Sequence, residues 1–231
     1  MAVSEHMPDS GQGAIAERMQ KTCAVVVNYQ TPDLLDVAVR SFKQFYPDVP
    51  LIIFDNGSQD NSRDVIEHLC RECANVVAEF SSSNLGHGPA MHAVISRAEY
   101  SWYFFLDSDT ETKTGGFLEE MLSGYDDPNH YAAGKVIPMN RRGFPAPGGF
   151  PALDAAYMLI RQELYAALPS FAHHGAPVVQ NFQEAASRGL VVLDYPVHNF
   201  IDHLHRGTVS RFGYGLGLRG KINFLLNKLG L

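Results

Sequence analysis

Residues 23–45 read CAVVVNYQTPDLLDVAVRSFKQF, and the order of features within them decides the fold. The first seven are mostly apolar and rich in β-branched side chains, which suits a strand covered on both faces of a parallel sheet. Thr31-Pro32-Asp33 follows almost at once. Threonine can cap a helix, proline is tolerated at the first helical position, and aspartate favours the positive helix end. A helix over 32–45 is therefore expected, burying Leu34, Leu35, Ala38, Val39, Phe42 and Phe45.

The same strand-then-helix order recurs downstream. Pro47 and Pro50 bracket a turn before a second strand, 51–55 (LIIFD), which ends in Asn56-Gly57-Ser58. Asp60, Asn61 and Ser62 then offer caps for a helix reaching about residue 73. A third strand over 76–80 leads through a Ser/Asn/Gly loop to a helix over 89–98 and a fourth strand, 102–107 (WYFFLD). Such alternation calls for right-handed crossovers and an α/β fold with a mostly parallel sheet, in which ligands bind beyond the carboxyl ends of the strands. Asn28, Asp55, Asn84, Asp107 and Asp109 all fall at or just past such ends. The second half is less regular: strands over 131–138 and 155–161 flank a loop carrying Arg141, Arg142, Pro145, Pro147, Gly148 and Gly149, a candidate lid. A helix ending near 185–189 and a strand over 190–195 complete the pattern.

With 231 residues, 45% of them hydrophobic, the chain can bury most of its apolar surface in one large domain. A net charge of −7, spread rather than blocked into runs, argues against nucleic acid as a partner and for a small ligand. Three cysteines make no disulfide framework, which points to a reducing cytoplasm. Cys70 and Cys73 have no second pair to complete a zinc site and read as helix-surface thiols. No apolar run approaches the roughly 18 residues that span a bilayer. Residues 1–20 are polar and weakly periodic, and are expected to form a mobile extension outside the fold.

Asp107-Ser108-Asp109 ends a run of five apolar residues, so a buried strand stops at two carboxylates whose desolvation without a partner is costly. A capped turn is one remedy and a cation is another. Hard oxygen ligands at an open strand end suit Mg²⁺ or Mn²⁺, which would share coordination with substrate phosphates and stabilise a departing diphosphate.

Four blocks, VVVNYQTPDLLDVAVRSF, IIFDNGSQDNS, NLGHGPAMHA and WYFFLDSDTE, stand in this order over about residues 23–121. In order and spacing they resemble the nucleotide-binding half of GT-A glycosyltransferases, especially family 2. The resemblance implies a GT-A domain over 21–205, with a nucleotide-binding half (21–121) and a smaller acceptor half (122–205). It implies inverting transfer of a sugar from a nucleoside diphosphate donor to a hydroxyl on a glycan, lipid carrier or metabolite, with Mn²⁺ or Mg²⁺. By the same resemblance Asn28 and Tyr29 would lie beside the nucleoside, and Asn84 and Gly86 would border the same pocket. Asp55 would meet the base, Asp107 the ribose or the metal, and Asp109 the metal on the diphosphate. A carboxylate at Asp55 can accept from an imide nitrogen, which favours uracil or thymine as the base, a UDP-sugar being preferred to a dTDP- or GDP-sugar, or it can cap the turn with Ser58. A late histidine completes metal coordination in relatives; His205 is the favoured match and His203 the alternative, since alternate residues share a strand face. His92 stands where many relatives have asparagine and reads as a surface or packing histidine.

The acceptor side departs from the family pattern. Inverting relatives carry an acidic pair about a dozen residues before a glycine like Gly189, whereas GAPVVQNFQEAASRG places Pro177 and Val178 there. A general base contributes about 10²–10⁴-fold. Asp154, Glu184, His173 and His174 are the local candidates, Glu184 also fitting a helix-surface carboxylate. The missing pair leaves a retaining mechanism open, and with it a nucleotide-sugar-binding partner subunit that lacks activity. A nucleotidyltransferase or dinucleotide oxidoreductase fits poorly, because residues 23–33 hold no glycine-rich phosphate loop. Arg141, Arg142, Arg206 and Arg211 are suited to phosphate oxygens, or are solvated surface groups. The tail over 206–231 mixes basic and apolar side chains. That composition suits peripheral contact with an anionic membrane, packing onto the domain, or a homodimer contact.

Overall fold

The computed structural model describes residues 10–172, 177–207, 210, 211, 222, 225 and 226. Its centre is a seven-stranded sheet of order β3-β2-β1-β4-β7-β6-β8. The parallel run consists of β1 (Thr22–Asn28), β2 (Leu51–Asp55), β3 (Val76–Phe80) and β4 (Trp102–Asp107). Helices α2 (Pro32–Phe45), α3 (Ser62–Glu72) and α4 (His87–Ile95) make the crossovers. After the short β5 (Thr110–Thr112) and α5 (Phe117–Ser123), β6 (His130–Met139) and β7 (Phe150–Arg161) form a hairpin, and β7 pairs antiparallel with β4. Helices α6 (Gln162–Tyr165) and α7 (Val179–Ser187) lead to β8 (Val191–Asp194), which runs parallel to β6. The last described strand, β9 (Ile201–His203), pairs with β5 outside the main sheet.

Alternation along β1 feeds two separate cores, because successive side chains leave opposite faces of a strand. Ala24 and Val26 join Leu35, Val39, Phe42, Phe104 and Phe117 on one face. Cys23, Val25 and Val27 join Met91, Val94, Phe105, Met158 and Phe182 on the other. Phe42 and Phe104 are fully buried and stack with centroids 6.2 Å apart. Truncating either ring to alanine therefore costs about 3–5 kcal/mol. Burial on both faces explains why β1 reads as an unbroken apolar run.

Two local expectations are corrected. Ser10–Gln20, expected in an extension outside the fold, forms helix α1. Arg18 donates from Nη1 to the Leu122 carbonyl at 2.8 Å, and Met19 packs against the core. Gly11, Gly13 and a scarcity of apolar residues weaken the helical period, which hid this docking in the sequence. Residues 1–9 and most of the tail over 206–231 lie outside the described residues. Thr31 precedes α2 without capping it through its side chain. Its hydroxyl instead lies 2.9 Å from both Asn28 Oδ1 and Ser108 Oγ, tying the ends of β1 and β4 together.

Candidate active site

The parallel strands end in register. Asn28 pairs with Asp55 across β1 and β2, and Val27 pairs with Asp107 across β1 and β4. One edge of the sheet thus gathers the polar ends of three strands beside a cavity of about 460 Å³. That size suits a small-molecule ligand.

The strand β4 stops because the chain turns sharply: Thr110 donates from Oγ1 to the Asp107 carbonyl at 2.8 Å, and β5 leaves the sheet to pair with β9. Thr110 is the partner of His203 in that pairing, so the turn brings His203 over both carboxylates. Its Nε2 lies 3.2 Å from Asp109 Oδ1 and 3.9 Å from Asp107 Oδ2. One ligand atom each from Asp107, Asp109 and His203 fit within 4.8 Å of one another. Divalent-cation bonds of about 2.0–2.2 Å to oxygen or nitrogen reach nearly that far across an ion, so a contraction of a few tenths of an ångström completes the group.

His205, the favoured third ligand, is not the one brought to the carboxylates. β9 ends at His203, and the backbone of His205 turns into positive φ (54°). That twist aims the N–H groups of Arg206 and Gly207 at Asp109 Oδ2, at 3.0 and 2.8 Å. The His205 ring remains beside the site, its centroid 4.2 Å from that of His203. Gly207 is required by proximity: a Cβ there would come within 2.8 Å of the Asp109 carboxyl carbon.

Electrostatics fit a cation. Burial and the adjacent Asp109 charge push the Asp107 carboxyl up to about 7. Burial opposes ionisation of Asp109 as well, but hydrogen bonds from His203, Gly207 and Arg206 hold its carboxyl below the usual range. The hydrogen bond to Asp109 raises His203 above an ordinary imidazole, while burial pushes His87 down to about 4. Neutral His87 stands at the start of α4 with Nε2 3.5 Å from Asp107 Oδ1. Among the described residues no lysine or arginine pairs with Asp107 or Asp109. Among the described residues the carboxylate pair therefore has no permanent counter-charge, as in an ion-binding site.

Tyr29 and Asn84 line the cavity. Asn28 and Asp55 do not line it; Asn28 is wholly buried and donates from Nδ2 to Asp55 Oδ1 at 2.9 Å. Asp55 Oδ2 accepts from the Ser58 N–H at 3.0 Å, so this carboxylate shapes the turn. The next residue, Asn56, faces the cavity. Its Oδ1 accepts from the Leu85 N–H at 2.8 Å, and its Nδ2 donates to Asn84 Oδ1 and the Gly86 carbonyl, stitching residues 84–86 to β2. Gly57 allows this approach, since a Cβ would come within 2.5 Å of the Ser83 backbone. Sequence reasoning missed Asn56 and His87. The only available signal was that each directly follows a residue already singled out, Asp55 and Gly86.

On the far wall Asp154 lines the cavity, together with Leu153, Ala155, Ala156, Pro177 and Val178. Glu184 is on an exposed face of α7 and pairs with Arg188 at 2.8 Å, which removes it from the site. His92 packs through Nδ1 on the Tyr165 hydroxyl at 2.9 Å. His173 and His174 lie outside the described residues. Arg211 forms a two-pronged pair with Asp33, at 2.9 and 2.7 Å. The segment containing Arg141 and Arg142 is an ordered hairpin turn in which Asn140 Oδ1 accepts from the N–H groups of Arg142 and Phe144. Among the described residues no helix is long and apolar enough to cross a membrane.

Comparison with known proteins agrees with this arrangement. The structure resembles the mannosyltransferase PcManGT from Pyrobaculum calidifontis, solved with GDP-Man and Mn²⁺, at a TM-score of 0.63 and 15% identity. The match covers 76% of this chain and 55% of that one. It also resembles glucosyl-3-phosphoglycerate synthase from Mycobacterium tuberculosis, solved with Mn²⁺, UDP and glucosyl-3-phosphoglycerate. There the TM-score is 0.61 and the identity 15%, over 99% of this chain and 87% of that one. Both likenesses establish a GT-A fold. An uncharacterised glycosyltransferase of Nostoc sp. is 33% identical over 90 residues, 38% of this chain and 28% of that relative. The chain thus matches about three tenths of that relative's length. The family model for glycosyl transferase family 2 matches residues 23–166, more than half the chain, and the chain belongs to that family.

Proposed function

We propose that this protein is a metal-dependent glycosyltransferase that moves a sugar from a nucleoside diphosphate donor, a UDP-sugar by preference, to a hydroxyl acceptor with inversion. The observation that carries the proposal is the convergence of Asp107, Asp109 and His203 beside a cavity with two unlike walls. Tyr29, Asn56 and Asn84 would receive the nucleoside on one wall. The carboxylates and His203 would hold Mn²⁺ or Mg²⁺, and a cation bound there would supply compensation for the charge that grows on the departing diphosphate. The N–H groups of Arg206 and Gly207 hold Asp109 through Oδ2, which would leave Oδ1 for the ion. Neutral His87 can hydrogen-bond a phosphate or sugar oxygen without adding charge.

Release of nucleoside diphosphate from UDP-, dTDP- and GDP-sugars, with Mn²⁺ and an acceptor panel, tests this function. Turnover of a UDP-sugar is expected, and binding of no donor would sink the proposal. Pro177 and Val178 at the acceptor wall favour a second reading, a partner subunit that binds donor without turning it over. Binding of UDP and Mn²⁺ without hydrolysis or transfer would select it.

A further inference from the structure

Inverting transfer needs a group to take the proton of the attacking hydroxyl. The wall opposite the nucleoside side is apolar where α7 begins, at Pro177, Val178 and Val179. Among the described residues lining the cavity, the titratable groups are Tyr29, His87, Asp107, Asp109, Asp154, His203 and His205. Asp107, Asp109 and His203 form the ion cluster, His87 adjoins Asp107, and the His205 ring sits 4.2 Å from that of His203. Tyr29 belongs to the opposite wall, beside Asn56 and Asn84.

Asp154 differs from all of these in its strand. It lies on β7, three residues before Tyr157, which pairs with Leu106, so the antiparallel run carries it past the end of β4 and across from the carboxylate turn. It is half-buried, and its Oδ1 accepts the Ala156 N–H at 3.2 Å, which restrains the side chain. Its charge is felt by Asp107, His203 and Tyr157, so it shares their space. Among the described residues no cation pairs with it.

We infer that Asp154 is the catalytic base of the transfer, acting on the acceptor hydroxyl from the strand β7 wall in place of an acid at the start of α7. This rests on the transferase function proposed above. The Asp154 carboxylate takes the hydroxyl proton as the hydroxyl oxygen bonds to the anomeric carbon. The bond from that carbon to the β-phosphate oxygen breaks, and its electron pair leaves on the nucleoside diphosphate. The proton ends on Asp154.

The test compares wild type, Asp154→Asn and Asp109→Ala in UDP-sugar hydrolysis with Mn²⁺, water serving as the acceptor, and in calorimetric binding of UDP with Mn²⁺. Asp154→Asn is expected to lower kcat by about 10²–10⁴-fold while the Kd of UDP with Mn²⁺ stays within about twofold. Sodium azide, a nucleophile with no proton to lose, should restore turnover in Asp154→Asn as the glycosyl azide, and should not rescue Asp109→Ala. A kcat for Asp154→Asn within about threefold of wild type, or a parallel loss of UDP affinity, would overturn the assignment. A wild type that binds UDP and Mn²⁺ yet neither hydrolyses a donor nor transfers its sugar across the acceptor panel would overturn the transferase function itself, and this inference with it.

Discussion

Filling the carboxylate cluster with a divalent cation should expel protons, by an amount that depends steeply on pH. In the metal-free protein, burial and the Asp109 charge push Asp107 up to about 7, and the hydrogen bond to Asp109 raises His203. Each coordinates only after losing its proton. At pH 6 a carboxyl with a pKa near 7 is about nine-tenths protonated, and His203 adds to the count, so Mn²⁺ capture should release between about one and two protons. By about pH 8.5 the share of that release that comes from Asp107 should be nearly gone, because a carboxyl with a pKa near 7 has by then lost its proton. The sign follows: a proton lost on binding makes apparent affinity rise with pH, by up to about tenfold per unit for each proton, and level off above the higher of the two steps. Because the groups interact, those steps belong to the pair. Isothermal titration of Mn²⁺ with UDP, in two buffers of different ionisation enthalpy, gives the proton count directly. Asp107→Asn should remove about one proton from the count at pH 6. An affinity that stays level between pH 6 and 8, or no proton release at pH 6, would refute the account of the cluster's electrostatics.

Replacing His203 with alanine should weaken Mn²⁺ binding by about 10–100-fold, and replacing His205 should change it by less than about threefold. Equal losses in a Mn²⁺ titration would return the third-ligand role to the sequence-based choice. Gly207→Ala would drive a methyl group into the Asp109 carboxylate, at 2.8–3.0 Å from its atoms. It should reduce Mn²⁺ affinity by about tenfold or more, while the urea midpoint stays close to wild type. Phe104→Ala, in the core away from the cavity, should cost about 3–5 kcal/mol in urea unfolding.

The parallel half of the fold was legible because physical constraints there are local. An apolar run followed by Thr-Pro-Asp marks β1 and the start of α2, and an apolar run ended by two aspartates marks β4. Helix α1 escaped notice because its stability comes from docking Arg18 and Met19 on α5 and the core, which no periodicity in a glycine-containing segment announces. In the site, Asp107 and Asp109 were evident from the cost of ending a buried strand in anions. The choice between His203 and His205 was not, since it turns on where β9 stops and on one residue of positive φ. Asp55 and Asn56 show the same limit: neighbours on an extended strand point opposite ways, and only the turn at Gly57 decides which of them meets the cavity.

The central claim is a nucleotide-diphosphate site built around a cation held by Asp109. Thermal unfolding of wild type and Asp109→Ala, each with UDP alone, Mn²⁺ alone and both together, tests it most directly. At about one hundred times Kd, a ligand specific for the folded state adds roughly 2.7 kcal/mol of stability. A large rise in Tm is predicted for wild type with UDP and Mn²⁺ together, with little from either alone and none in Asp109→Ala. Equal shifts in wild type and Asp109→Ala would contradict the account.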